Sequence, residues 1–136
     1  MAHNNHNQMK KPEHQVCLAI SQYLKIQYKG VIFRFDQAGY NLSMAQSAAN
    51  KAIQMNDFKY PDLFIAHNNA FYNGLYIEVK EPNCKIFKAD GTMYANKHII
   101  AQMEAIMALR VKGYYATFGI GFDDCKKTID WYMSLV

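Results

Sequence analysis

Asp62 follows Pro61 at the start of the apolar run Leu63-Phe64-Ile65, and Glu78 and Lys80 stand two residues apart in Leu75-Tyr76-Ile77-Glu78-Val79-Lys80. The second segment alternates apolar Leu75, Ile77 and Val79 with Tyr76, Glu78 and Lys80, the pattern of a strand. A period of two sends Glu78 and Lys80 to one face and the apolar three to the other. Leu63 to Ala66 suits another strand, with turn residues His67-Asn68-Asn69 and Asn73-Gly74 between the two. The pair forms a hairpin, or at least two neighbouring strands, with Asp62 at the start of one and Glu78 near the end of the other. Two carboxylates then converge beside an ammonium. Such a cluster is costly to bury uncompensated. A hard divalent cation that takes oxygen ligands, Mg²⁺ or Mn²⁺, is the usual compensation.

The elements around this hairpin follow from periodicity and caps. Pro12 to about Tyr28 reads as a helix, with Pro12 in its first turn and Gly30 at its end. Cys17, Ile20 and Leu24 form its inward stripe, and Glu13 falls on that stripe. Glu13 either complements the helix dipole or faces the site. Val31 to Asp36 is a strand ended by Ala38-Gly39; Arg34 and Asp36 share one face of it, where Arg34 is either structural or a phosphate contact. Ser43-Met44-Ala45-Gln46 is a capping box opening a short surface helix to about Met55, a lid, a dimer contact or filler. Ile86 to Tyr94 carries an Asp90-Gly91 turn and reads as a short hairpin. Lys85, Lys88 and Lys97 surround it with Phe87 and Tyr94. This basic hairpin either tracks a nucleic-acid backbone or is a solvated one whose lysines protect an edge.

Asn96 to Arg110 is a second strong helix, with Ile99, Met103, Ile106 and Met107 buried and Gln102 at the edge of that stripe. A glutamine there needs hydrogen-bond partners. His98, four residues earlier, is a candidate to line the same cleft. Gly113 ends the helix, and Tyr114 to Phe118 is a strand. Gly119-Ile120-Gly121 completes no phosphate-binding loop. Asp123 or Asp124 caps a last helix that buries Ile129, Tyr132 and Met133; Trp131 is either core or a dimer face. The order predicts an α/β fold, a mixed central sheet flanked by helices. The strand holding Glu78 should lie parallel to the one after the long helix.

Composition bounds the rest. A chain of 136 residues that is 51% apolar is globular and by prior one domain. Met1 to Lys11 is expected to be a flexible tail whose His3 and His6 are simply solvated, and residues 12–136 a single domain. The net charge of +4 and pI near 8.9 fit a nucleic-acid partner without requiring one. No apolar run is long enough for a membrane span, and the polar N-terminus is unlike a signal peptide. Cys17, Cys84 and Cys125 are scattered, which points to a reducing, cytoplasmic setting without a disulfide or zinc framework.

Asp62 followed by Glu78-Val79-Lys80 resembles the PD-(D/E)XK nuclease signature. More narrowly, the chain resembles the small stand-alone virus-type replication-repair nucleases, the VRR-NUC family, over nearly its whole length. An early helix carries Glu13, then come Pro-Asp-Leu, Glu-Val-Lys, a helix with Gln102, a Gly-Tyr strand and a last helix. One departure is that Phe58-Lys59-Tyr60 stands where the family has a glycine before Pro-Asp. The resemblance implies a restriction-endonuclease-like core and metal-dependent hydrolysis of DNA by a homodimer, on branched substrates such as Holliday junctions or flaps, in a bacterial or phage-infected cell. It implies that Asp62, Glu78 and the Val79 carbonyl ligate Mg²⁺ or Mn²⁺, and that Glu13 does so through water. Lys80 acts on the attacking water, and Gln102 on that water or the phosphate. Lys85, Lys88, Lys97 and Arg34 are the candidate DNA contacts. A non-cleaving binding module and an RNA endonuclease are the rival expectations.

Overall fold

The computed structural model describes residues 12–36, 42–94 and 96–136. Its sheet has the order β1 (Phe33–Phe35), β2 (Leu63–Ile65), β3 (Leu75–Lys80), β4 (Tyr115–Ile120). β2 is antiparallel to both neighbours, while β4 runs parallel to β3. Helices α1 (Pro12–Gln27), α2 (Met44–Ala52), α3 (Lys97–Val111) and α4 (Gly121–Ser134) flank this mixed sheet. The expected N-terminal tail with His3 and His6, and the Ala38-Gly39 end of the first strand, lie outside the described residues.

Alternation in β3 decides the layers. Leu75, Ile77 and Val79 join Leu63 and Ile65 of β2, Ile20 and Leu24 of α1, and Ile129 and Tyr132 of α4 in one core. Tyr76, on the other face, packs against Ile106 and Leu109 of α3 and Ala116 of β4. So α1 and α4 cover one face and α3 covers the other. Covering both faces is what parallel pairing requires. It also buries Glu78 and Lys80, which are only 4% and 7% exposed.

Several boundaries differ from expectation. The first strand is three residues long. The Ser43 capping box forms, with Gln46 N–H donating to Ser43 Oγ and Ser43 N–H donating to Gln46 Oε1, but the helix ends at Ala52 and buries nothing. The Asp90-Gly91 hairpin forms as a short one: Phe87 bridges Met93, the Lys88 N–H donates to the Thr92 carbonyl at 2.7 Å and the Tyr94 N–H to the Ile86 carbonyl at 3.0 Å, while Asp90 accepts from the Thr92 N–H and hydroxyl inside the turn. In α3 the buried stripe runs through Ile99, Gln102, Ala105, Ile106 and Leu109; Met107 faces solvent. The helix is rotated so that Gln102 meets a polar partner in the sheet.

α4 starts at Gly121, ahead of Asp123 and Asp124, so neither aspartate is its cap. The Ile120 N–H instead donates to Asp124 Oδ2 at 2.8 Å from within the first turn. Gly119 and Gly121 make this strand-to-helix junction possible. A Cβ on Gly119 would sit 2.3 Å from Cys125 Sγ, and Gly121 has φ +78°, a backbone conformation open to glycine. Further along α4, Asp130 ties the two helices of that face together. Its Oδ1 accepts from the Tyr23 and Tyr28 hydroxyls of α1 and its immediate extension, and its Oδ2 accepts from Lys126 Nζ at 2.8 Å.

Candidate metal centre and adjoining cleft

The β2–β3 register pairs Leu63 with Ile77, so Asp62 falls opposite Glu78 one step beyond the ladder. α1 brings Glu13 to the same point. Among the described residues, Glu13, Asp62 and Glu78 each offer a carboxylate oxygen, and these atoms lie within 4.8 Å of one another. Lys80 Nζ is 3.8 Å from Glu78 Oε1. Gln102 Nε2 donates to that same Oε1 at 2.8 Å.

Backbone chemistry explains why proline precedes the aspartate. Asp36 N–H donates to the Asp62 carbonyl at 2.7 Å and Ala66 N–H to the Ile32 carbonyl at 2.8 Å. Asp62 therefore turns its backbone groups toward β1, and Pro61 and Leu63 turn theirs toward β3. Continuing the ladder sets Pro61 against Val79. Pro61 has no N–H to give, so the Val79 carbonyl, which points to that side, gets no ladder donor from it. The Val79 N–H is taken by Asp62 Oδ2 at 2.8 Å. One carboxylate oxygen of Asp62 is thus fixed by the backbone, beside a carbonyl to which Pro61 gives no ladder bond.

The electrostatics match a site short of positive charge. Burial pushes the Asp62 carboxyl above its usual range; the Val79 N–H pulls it back and Glu13 pushes it further up. Glu78 is raised by burial first and by Asp62 second, with Lys80 opposing. The Cys17 thiol behind them is pushed up to about 12 by burial, then by Asp62 and Glu13. Three carboxylates sharing one ammonium either retain protons or take a cation. The donor set is all oxygen, the set for a hard divalent ion. Gln102 Oε1 is buried without a hydrogen-bond partner, which leaves room for a further ligand or its water. The residues present fit the group.

His98 extends this chain, its Nε2 lying 3.0 Å from Gln102 Nε2. With one amide hydrogen on Glu78, the other meets the ring nitrogen as acceptor. Burial and then the charges of Lys80 and Lys59 keep His98 below its usual range, in the neutral form such an acceptor needs.

The expected DNA contacts separate. Lys85 and Lys88 are exposed on the turn around Phe87, and Lys97 is exposed at the start of α3. Arg34 is different: it lines a cleft of about 260 Å³ together with Gln54, Tyr60, Phe64, Tyr76 and Asp62 itself. Tyr60 and Gln54 were not singled out from sequence. Tyr60 stands two residues before Asp62, so adjacency to the Pro-Asp step was the available signal; Gln54 had none. The Tyr76 phenol is raised by burial, then by Tyr114 and Tyr60, with Arg34 acting against them. The approach to Pro61 passes through Asp57 in the left-handed region, at φ 59°, and Phe58 packs its ring on Tyr60 at 4.7 Å.

No family model matches the chain, and no curated protein matches it. Among solved structures, a chain described as "VRR_NUC domain protein" is similar, with a TM-score of 0.62 and 25% identity over 91% of this chain and 89% of that one. No helix among the described residues is long and apolar enough to cross a membrane. Sheet order and flanking helices thus agree with the α/β, restriction-endonuclease-like fold of this VRR-NUC neighbour, to which the chain is similar over nearly its whole length.

Proposed function

We propose that the protein is a Mg²⁺- or Mn²⁺-dependent endonuclease that hydrolyses DNA phosphodiester bonds, acting as a homodimer on branched substrates such as Holliday junctions or flaps. The observation that carries this reading is the convergence of Glu13, Asp62 and Glu78 within 4.8 Å, with Lys80 and Gln102 on the same carboxylate. Asp62, Glu78 and the Val79 carbonyl would hold the cation, and Glu13 would hold it through water. The bound cation supplies Lewis acidity toward water and toward the phosphate oxygens. Lys80 orients the attacking water and neutralises charge gathering on the phosphate. Gln102 fixes the Glu78 carboxylate with one amide hydrogen and turns its buried oxygen toward the reacting water. A two-fold dimer places two such sites for paired cuts.

The test is cleavage of linear, nicked, flap and four-way DNA, with RNA counterparts, by purified protein in Mg²⁺, Mn²⁺ and chelator. Metal-dependent cutting of branched DNA is expected. No cutting of any DNA in either metal, by protein shown to be folded, sinks the reading. Light scattering checks the dimer.

A further inference from the structure

We infer that the cleft beside Asp62 receives one unpaired nucleobase of the substrate, next to the phosphodiester that is cut. The inference rests on the nuclease reading for the identity of the ligand, and on the cleft for its chemistry.

Asp62 belongs to both places: it faces Glu13 and Glu78 and lines the cleft. A strand whose phosphate lies at the carboxylates therefore has its neighbouring nucleotide at the cleft mouth. The walls are aromatic and already held in place. Tyr60 is seated by Phe58 at 4.7 Å, and Tyr76 is stacked on Phe64 at 4.5 Å and edged by Tyr114 at 5.3 Å. Rings fixed before binding lose little freedom when a base stacks on them.

The polar lining selects among ligands. Asp36 and Asp62 are both carboxylates, so a second phosphate would be repelled. A flat neutral heterocycle is not, and Arg34 and Gln54 offer it donors and an acceptor at its edge. At about 260 Å³ the cleft falls just under the range of about 300–1,000 Å³ usual for drug-sized ligands, a size for a single ring system. A base enters only after leaving its stack. That costs least when it is already unpaired, so the cleft favours flaps, loops and junction crossovers over intact duplex.

The experiment uses the full chain and a flap DNA with 2-aminopurine at the unpaired nucleotide beside the junction, in Ca²⁺, so that binding is read without cutting. Stacking should change its fluorescence on wild-type protein and on Tyr60→Phe. With Tyr60→Ala the change should vanish and affinity fall about tenfold. In Mg²⁺ or Mn²⁺, replacing that nucleotide by an abasic one should slow wild-type cleavage about tenfold by raising KM, while leaving cleavage of a nicked, fully paired DNA unaltered. An unchanged fluorescence signal in wild type, or an abasic substrate cut as fast as its parent, overturns the inference even if cleavage is robust. A fluorescence change without any cleavage upholds the cleft and sinks the nuclease reading instead.

Discussion

Two carboxylate sites share α1 and have opposite designs. At one end, Asp130 collects two tyrosine hydroxyls and an ammonium. Burial tends to raise it, but the bonds to Lys126, Tyr23 and Tyr28 prevail and hold it below its usual range. At the other end, Asp62 and Glu78 are deeper, face each other and Glu13, and are held above theirs. A carboxylate surrounded by donors closes a structure, because its charge is already answered. Carboxylates surrounded by carboxylates leave charge unanswered, and something from solution must answer it. On the proposed reading, Asp130 serves stability and the cluster serves chemistry.

The largest expected effect is at the cluster. Asp62→Ala and Glu78→Ala should each lower cleavage by about a thousandfold or more, with Mg²⁺ or Mn²⁺ binding lost in calorimetry. Circular dichroism should stay native, since neither side chain belongs to the apolar clusters that hold the sheet and helices together. A variant that keeps binding metal and cutting DNA would erase the distinction between the two sites. Lys80→Met should cost about 10²–10³-fold in kcat while metal binding is retained, because the ammonium answers charge on the reacting groups. Gln102→Leu and Glu13→Gln should fall lower, at about 10–100-fold, the range for groups that act through a metal's direct ligands.

Much of this was legible before the structure, for identifiable reasons. Alternation in Leu75–Val79 fixed which way Glu78 and Lys80 point, since a period of two leaves no other choice. The crossover through a helix implied that β3 and β4 are parallel, as they are. The phase of α3 was misjudged, because Met107 looks as buriable as Leu109 until Glu78 is known to want the Gln102 amide. Clefts are less legible still. Arg34, Gln54 and Tyr60 come from three separate segments, and only the β1–β2–β3 register draws Arg34, Tyr60 and Tyr76 around one space. The opposition at Asp130 was also hidden, because its tyrosine partners lie more than a hundred positions away.

Proton linkage sharpens the same contrast with a smaller effect. Glu78 is held above its ordinary value of 4.5, first by burial and then by Asp62. A group with a raised folded pKa lends stability that is full below the unfolded value and is lost as pH rises through the folded one. In chelator, the thermal midpoint should therefore decline as pH climbs from the ordinary carboxylate range through neutrality. Mg²⁺ should restore it, since the cation binds the deprotonated folded site and displaces protons. Glu78→Gln should flatten the slope. Asp130 has the opposite sign: its contribution is present at neutral pH and fades as pH falls into the acid range.

Asp130→Asn gives the smallest change and the cleanest separation. The amide keeps the shape and an oxygen for the Tyr23 and Tyr28 hydroxyls, but Lys126 loses its partner. Because the aspartate is about a third exposed, water screens part of the loss. The expected cost is about 1 kcal/mol, a fall of roughly 2–8 °C in Tm. The cleavage rate at saturating metal should stay within about twofold of wild type. If the rate falls while Tm does not, Asp130 is coupled to the cluster through α1, and the helix then transmits position from its far end to Glu13.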